Sequence, residues 1–112
     1  MAKFFEERER AAELLFVRAE EARFITRCRG IRALAAYTAG KLGVDGHSAE
    51  AYAQELLGAS VNGMSDQALL ERVQADLEAN RVIVNVTELR AELTRSTAQA
   101  VYDVGPAAST RM

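Results

Sequence analysis

The stretch VRAEEARFITRCRGIRALAAYTAGKLG, residues 17–43, decides the fold of this chain. Residues 1–29 contain neither glycine nor proline, so we expect one helix to run to at least Gly30 and, through the helix formers that follow, to stop at Gly43. Apolar and small side chains recur along it in steps of four and three or their sum, at Val17, Phe24, Cys28, Ile31, Ala35 and Leu42. At about 100° per residue these positions form one narrow stripe, which predicts the face that the helix buries in the core.

Three further helices are indicated after Gly43. Asp45 is a suitable cap for a second helix that we expect to end at Gly58, and Ser65 or Asp66 for a third. The third carries its apolar residues at helical spacing: Leu69, Leu70, Val73 and Leu77. A fourth helix is expected to start near Asn85, with Glu88 placed as in a capping box, and to end at Gly105–Pro106.

The segment RVIVNV, residues 81–86, is β-branched and alternating, which taken alone favours a strand. No second strand is indicated that could pair with it. We therefore predict an extended loop in which Val82 and Val84 fill the end of the core. The fold class that follows is all-α.

Composition excludes several classes of function. The chain has 112 residues, 49% hydrophobic and 27% charged, which suits one small globular domain. No apolar run approaches the ~18 residues of a membrane span, and Lys3, Glu6, Glu7 and Arg8 stand where a signal peptide would be apolar, so we expect a cytoplasmic protein. A formal charge of −2 gives no general attraction to nucleic acid, and a single Cys28 with a single His47 makes a Cys/His metal site improbable.

The N-terminal stretch FFEERERAAELLF, residues 4–16, is both apolar and highly charged. On the helical wheel its apolar sector points nearly opposite to the predicted core stripe; it contains Phe4, Phe5, Ala11, Ala12, Leu15, Phe16, Ala19 and Ala22. In a continuous helix this face would await a partner, whereas a break near Glu20–Glu21 would let it fold back onto the bundle. The residues alone leave both alternatives open.

Three stretches together carry a resemblance to a known family: ERERAAELLFVRAEEARF at residues 7–24, KLGVDGHSAEAYAQEL at 41–56 and VQADL at 73–77. The chain resembles the ATP synthase inhibitor zeta subunits of alphaproteobacterial F1-type ATPases over residues 4–104. It departs from the family pattern at Leu15, where members tend to carry a basic residue, in the loop SVNGMSD, which tends to be acidic, and at Tyr37, which replaces a Trp.

The resemblance implies a four-helix bundle with a long N-terminal helix or a mobile N-terminal helical segment. It divides the chain into an inhibitory segment at residues 1–19, a bundle at 20–104 and a flexible tail at 105–112. It implies a non-enzymatic subunit, monomeric when free, that blocks ATP hydrolysis by inserting its N-terminal helix between the α and β subunits of F1 beside the rotor subunit γ, peripheral to the membrane and without inserting into it. The segment's partner-binding residues would be Phe4, Phe5, Arg8, Glu9, Arg10, Ala12, Leu15 and Phe16.

Other candidate sites are weaker. The arginines at 18, 23, 27, 29 and 32 do not share one helical face, as nucleic-acid recognition would need, and suit solvated ion pairs instead. Cys28 lies on the core stripe and His47 in the first turn of a helix, so neither is expected to be reactive. We predict no catalytic residue, no metal and no cofactor; the resemblance leaves room for low-affinity ATP or ADP binding, assigned to no residue. The alternative function is a helical adaptor or low-affinity nucleotide-binding bundle with weak or no ATPase inhibition.

Overall fold

The computed structural model describes the backbone of residues 2–104 and the side chains of residues 5–104. Within that range the chain forms four α-helices and no strand: α1 at Ala2–Leu42, α2 at Gly46–Val61, α3 at Asp66–Ala79 and α4 at Val86–Val104. The predicted all-α four-helix bundle is therefore confirmed. The polar tail predicted for residues 105–112 lies outside the described residues.

The first helix is unbroken over its 41 residues. At about 1.5 Å per residue such a helix is about 60 Å long, which accounts for most of the 67 Å long axis of the molecule. It stops at Gly43, whose φ of 74° is left-handed and whose amide donates to the Ala39 carbonyl at 2.9 Å, as predicted. The break near Glu20–Glu21 that would let the N-terminal segment fold back does not occur.

The predicted helix starts are confirmed by their caps. The Asp45 carboxylate accepts from the Ser48 amide at 2.8 Å, and the Ser65 hydroxyl accepts from the Ala68 amide at 3.1 Å. Asn85 caps α4 in the same way, with its Oδ1 accepting from the Glu88 amide at 2.8 Å. Each cap satisfies one of the amides that a helix start leaves unpaired.

The predicted end of α2 at Gly58 is wrong, because α2 continues to Val61. Gly58 lies within the helix, and the left-handed residue that ends it is Gly63, with a φ of 103°. Helices commonly end where a glycine adopts this conformation, and here Met64 completes the turn by donating its amide to the Ala59 carbonyl at 3.0 Å.

The segment predicted as a loop at residues 81–86 forms a loop only over residues 82–85, because Arg81 lies in a turn and Val86 begins α4. Val84 is buried, Val82 is half-buried against the core, and Ile83 between them is 82% exposed. Arg81 precedes them with a left-handed φ of 66°, and the Val82 amide donates to the Leu77 carbonyl at 2.9 Å, which closes the end of α3. The β-branched alternation thus reflects a chain that buries alternate side chains without pairing with another strand.

The core lies between the C-terminal part of α1 and the three shorter helices. Its members are Ile31, Leu34, Ala35, Ala53, Leu56, Leu69, Leu70, Val73, Leu77, Val84, Leu89 and Leu93. The buried Thr38 hydroxyl is satisfied by donating to the Leu34 carbonyl at 2.8 Å. All four apolar residues predicted for α3 are among these core members.

The predicted core stripe of α1 is correct only in its C-terminal part. Ile31 and Ala35 are buried and Leu42 packs against the core, but Val17 is 47% and Phe24 56% exposed. The physical reason is the length of the neighbours: α2 ends at Val61 beside Phe24, so no helix covers this face of α1 further toward its N-terminus. Ala19 and Ala22, expected to face outward, are instead half-buried, because α4 is long enough to lie beside them.

Candidate partner-binding site

Residues 5–18 of α1, here called the projecting segment, extend beyond the bundle. Every side chain in this range is exposed, whereas buried residues of α1 first appear at Gly30 and Ile31. The three shorter helices have 16, 14 and 19 residues and cannot accompany a helix of 41 residues along its whole length. The segment is therefore a helix whose apolar side chains lie in solvent.

The partner-binding residues predicted from the sequence lie on this segment. Phe5, Leu15 and Phe16 are 55%, 66% and 62% exposed. The other predicted residues with described side chains are also exposed: Arg8, Glu9, Arg10 and Ala12. Phe4 lies within α1, but its side chain is outside the described set.

The helical geometry brings part of this set onto one face. Phe5, Ala12 and Phe16 fall within about 40° of one another on the wheel, and Phe5 and Phe16 are separated by about three turns along the axis. Two aromatic side chains at this spacing, with a small alanine between them, suit a helix that lies in a groove of a partner. Leu15 lies to one side of this face, and Arg10 lies well away from it.

Sequence reasoning missed a second group of exposed apolar side chains at the base of the segment. Phe16, Val17, Phe24 and Ile25 line a shallow depression together with Glu20 and Glu21. The helical period alone assigned Val17 and Phe24 to the core. The signal that could have corrected this was the short predicted length of the second and third helices.

A cleft of about 610 Å³ lies between α1 and α4. Its α1 wall includes Ala19 and Ala22, and its α4 wall includes Leu93, Thr97 and Val101. The cleft is open because α3 begins only at Asp66, which pairs with Arg27. No third helix therefore packs beside α1 on the N-terminal side of Arg27. Both arginines of the cleft, Arg23 and Arg27, have acidic partners. Nucleotide binding, which was assigned to no residue, stays a prediction.

The two arginines bind different parts of the molecule: Arg27 contacts α2 and α3, whereas Arg23 contacts its own helix. Arg27 pairs with Asp66 at 2.8 Å and donates from Nε to the Ser60 hydroxyl at 3.0 Å. Arg23 donates to Glu20 at 2.8 Å, and this hydrogen bond, with the guanidinium charge, lowers the pKa of the Glu20 carboxyl. Exposed pairs of this kind add little to stability, so they orient side chains more than they stabilise the fold.

Arg32 of the predicted arginine cluster donates to Glu50 of α2 at 3.0 Å. Cys28, expected in the core, is half-buried beside Phe24 and Leu57, and His47 is exposed in the first turn of α2. Among the side chains of residues 5–104, no group of three His, Cys, Asp or Glu is arranged to hold a metal ion. No helix in the described part of the chain has the length and apolar character needed to cross a bilayer.

The described elements define a class of protein: a small helical bundle with one long helix that projects beyond it and carries exposed apolar side chains. The chain belongs to the ATPase inhibitor subunit zeta family, whose sequence model matches residues 1–103. The name of this family points to an ATPase inhibitor subunit, and such a subunit implies interaction with subunits of ATP synthase. No curated protein and no solved structure matches the chain.

Proposed function

We propose that the chain stops ATP hydrolysis by an F1-type ATPase, by inserting the projecting segment into a catalytic interface between α and β subunits close to the rotor subunit γ. The observation that carries this proposal is the unbroken α1, with every side chain of residues 5–18 exposed. A preformed helix that projects from a compact bundle can enter a groove between two proteins while the bundle stays folded. Once inserted, it would oppose the changes of shape that hydrolysis requires at that interface.

The aromatic side chains of the segment supply the affinity in this proposal. Phe5 and Phe16 share a face, and truncating a buried aromatic anchor commonly costs about 2 kcal/mol or more, a loss of about thirtyfold in affinity. The charged residues Arg8, Glu9 and Arg10 would set orientation and association rate more than affinity. Leu15, exposed beside Phe16, would add apolar contact where family members tend to carry a positive charge.

The test is to add the purified protein to F1-ATPase and to follow ATP hydrolysis. The variant that replaces both Phe5 and Phe16 by Ser should inhibit about thirtyfold less strongly, while its melting temperature stays close to that of the wild type, because both rings are exposed. The matched control replaces Val44 and Ile83 by Ser. These two side chains are exposed at the opposite end of the bundle, so the control should inhibit as the wild type does.

A wild-type chain that does not inhibit would refute the proposal. It would also be refuted by a double variant that melts at a much lower temperature yet inhibits normally in its folded fraction. That second outcome would show that the rings stabilise the fold, and would favour the adaptor function instead.

A further inference from the structure

The exposed large apolar side chains of the described residues are concentrated at one end of the molecule. Besides those of the projecting segment, they are Phe24, Ile25, Val61 and Val101, which line depressions where α1 leaves the bundle, and Tyr102, which follows Val101 near the end of α4. Only Val44 and Ile83 of this group lie at the opposite end, in the α1–α2 and α3–α4 connections. Scattered exposure would need no explanation, whereas a cluster indicates an interaction surface.

We call Phe24, Ile25, Val61, Val101 and Tyr102 the apolar collar, because they surround the base of the projecting segment on three helices. Phe24 and Val61 line one depression with Leu57. On the other side of α1, Val101 forms part of the α1–α4 cleft together with Ala19 and Ala22. The collar thus offers both apolar side chains and an open cleft of about 610 Å³ that could receive a partner's side chain.

The collar is continuous with the surface of the proposed function. Phe16 lies in the same depression as Phe24 and Ile25, so the proposed anchor and the collar share one surface, with Glu20 and Glu21 between them. Helix α1 is unbroken between Phe16 and the collar. If a groove of a partner binds Phe16, the rim of that groove therefore meets the collar without any rearrangement of α1.

Charge argues against a second copy of this chain as the occupant. Glu20 and Glu21 lie in the middle of the depression, so two copies pairing across Val17 and Phe24 would bring these carboxylates against each other. Glu20 is already paired with Arg23, whereas Glu21 has no ion-pair or hydrogen-bond partner among the described residues. A partner with an apolar surface and a basic side chain fits this arrangement.

We propose that the apolar collar is a second docking surface for the same ATPase, contacting the rim of the groove that takes the projecting segment, with a basic side chain of the rim opposite Glu21. This inference rests on the proposed function and adds to it. The inserted helix would supply the block, and the collar would limit the depth of insertion and slow release.

The experiment uses the full chain and F1-ATPase. Replacing Ile25, Val61 and Tyr102 together by Ser should weaken inhibition at least about tenfold and speed dissociation, with little change in melting temperature. The control is again the Val44 and Ile83 double Ser variant, which removes apolar surface from the other end. Glu21→Lys should weaken inhibition most at low salt, whereas Glu78→Lys, at an exposed position late in α3, should not.

The outcomes separate the two proposals. If the Phe5 and Phe16 variant loses inhibition while the collar variant inhibits like the wild type, the collar proposal is overturned and the proposed function stands. If the wild type is a dimer by sedimentation and the collar variant a monomer, a second copy covers the collar and the inference is wrong. A wild-type chain that does not inhibit ATP hydrolysis would refute both the proposed function and the collar proposal.

Discussion

Gly30 lies where the backbone of α4 comes close to α1. A Cβ at this position would stand 2.5 Å from Thr97 Oγ1 and 3.3 Å from Thr97 Cα, too near for either atom to stay in place. Gly40, ten residues later in the same helix, has no atom within 4 Å of the corresponding position. Two glycines that the sequence presents alike therefore have different roles, one of them fixed by a neighbouring helix.

This difference gives a prediction about stability. Gly30→Ala should lower the free energy of unfolding by about 1–3 kcal/mol, because α4 must move away to admit the methyl group. Gly40→Ala should raise it by about 0.5–1 kcal/mol, since alanine favours an exposed helix position. Urea titration of both variants, followed by circular dichroism, measures the two effects. Equal stabilisation in both would show that α4 does not approach α1 closely at Gly30.

At the scale of elements, α2 and α3 are joined by polar side chains outside the apolar core. The half-buried Tyr52 donates its hydroxyl to Asp76 at 2.7 Å, and Arg72 of α3 donates to Glu55 of α2 at 2.8 Å. Burial raises the pKa of the Tyr52 hydroxyl above its ordinary value, and the hydrogen bond to the Asp76 carboxylate raises it further. Both causes act in the same direction, because each disfavours the phenolate.

The raised pKa predicts how stability depends on alkaline pH. In the unfolded chain a tyrosine ionises near pH 10, while the folded protein holds Tyr52 neutral to higher pH. The stabilisation is thus complete below pH of about 10 and is lost as pH rises toward the folded pKa. Tyr52→Phe should cost about 1 kcal/mol at neutral pH and make the alkaline decline shallower.

Urea titrations between pH of about 7 and 11 test this prediction. Tyr102→Phe is the matched control, because Tyr102 is 83% exposed and should leave the pH profile unchanged. A Tyr52→Phe profile that runs parallel to the wild type would contradict the assigned role of the Tyr52–Asp76 bond.

At the scale of the whole molecule, the chain is divided into a packed part and a projecting part within one continuous helix. Residues 31–42 of α1 touch the core, whereas every side chain of residues 5–18 is exposed and none belongs to the core. An isolated helix of such length is marginal in water, because nucleation is costly and packing normally supplies most helical stability. Within the predicted inhibitory segment at residues 1–19, the described side chains thus differ from those of the bundle in packing, while the helix itself continues unchanged.

Hydrogen exchange should show this division. The amides of residues 5–18 should exchange faster than those of residues 24–42. Exchange in the second group requires the bundle to open, whereas exchange in the first requires only local fraying of the helix. Mass spectrometry of the free protein measures both groups in one experiment, with α4 as the internal standard. Equal protection of the two parts of α1 would mean that the N-terminal segment packs on its own bundle.

Deleting residues 1–18 should leave the bundle folded, because no core residue lies among residues 5–18, whose side chains the structure describes. The melting temperature should change little, and inhibition of ATP hydrolysis should be lost. A deleted chain that fails to fold would contradict the division of the molecule into these two parts.

Features that depend on a few neighbouring residues were predictable from the sequence. Asp45, Ser65 and Asn85 cap their helices as expected, because a short side chain reaches an amide three residues on wherever the backbone turns into a helix. The apolar spacing of Leu69, Leu70, Val73 and Leu77 likewise predicted their burial, since α3 is covered by other helices over its whole core face. The left-handed end of α2 was misplaced because two glycines, Gly58 and Gly63, were both suitable.

Which part of α1 lies in the core was decided only by the tertiary structure. The sequence determined a helix from the first residues to Gly43 and a stripe that includes Val17, Phe24 and Ile31, but a stripe does not specify how far a neighbour extends along it. Burial at Ile31 and exposure at Phe24 follow from where α2 ends, and the half-burial of Ala22 follows from where α4 ends. Helix formation is local and is encoded within each segment. Burial of a residue of α1 needs another helix that extends along α1 as far as that residue, and only the packed bundle supplies it.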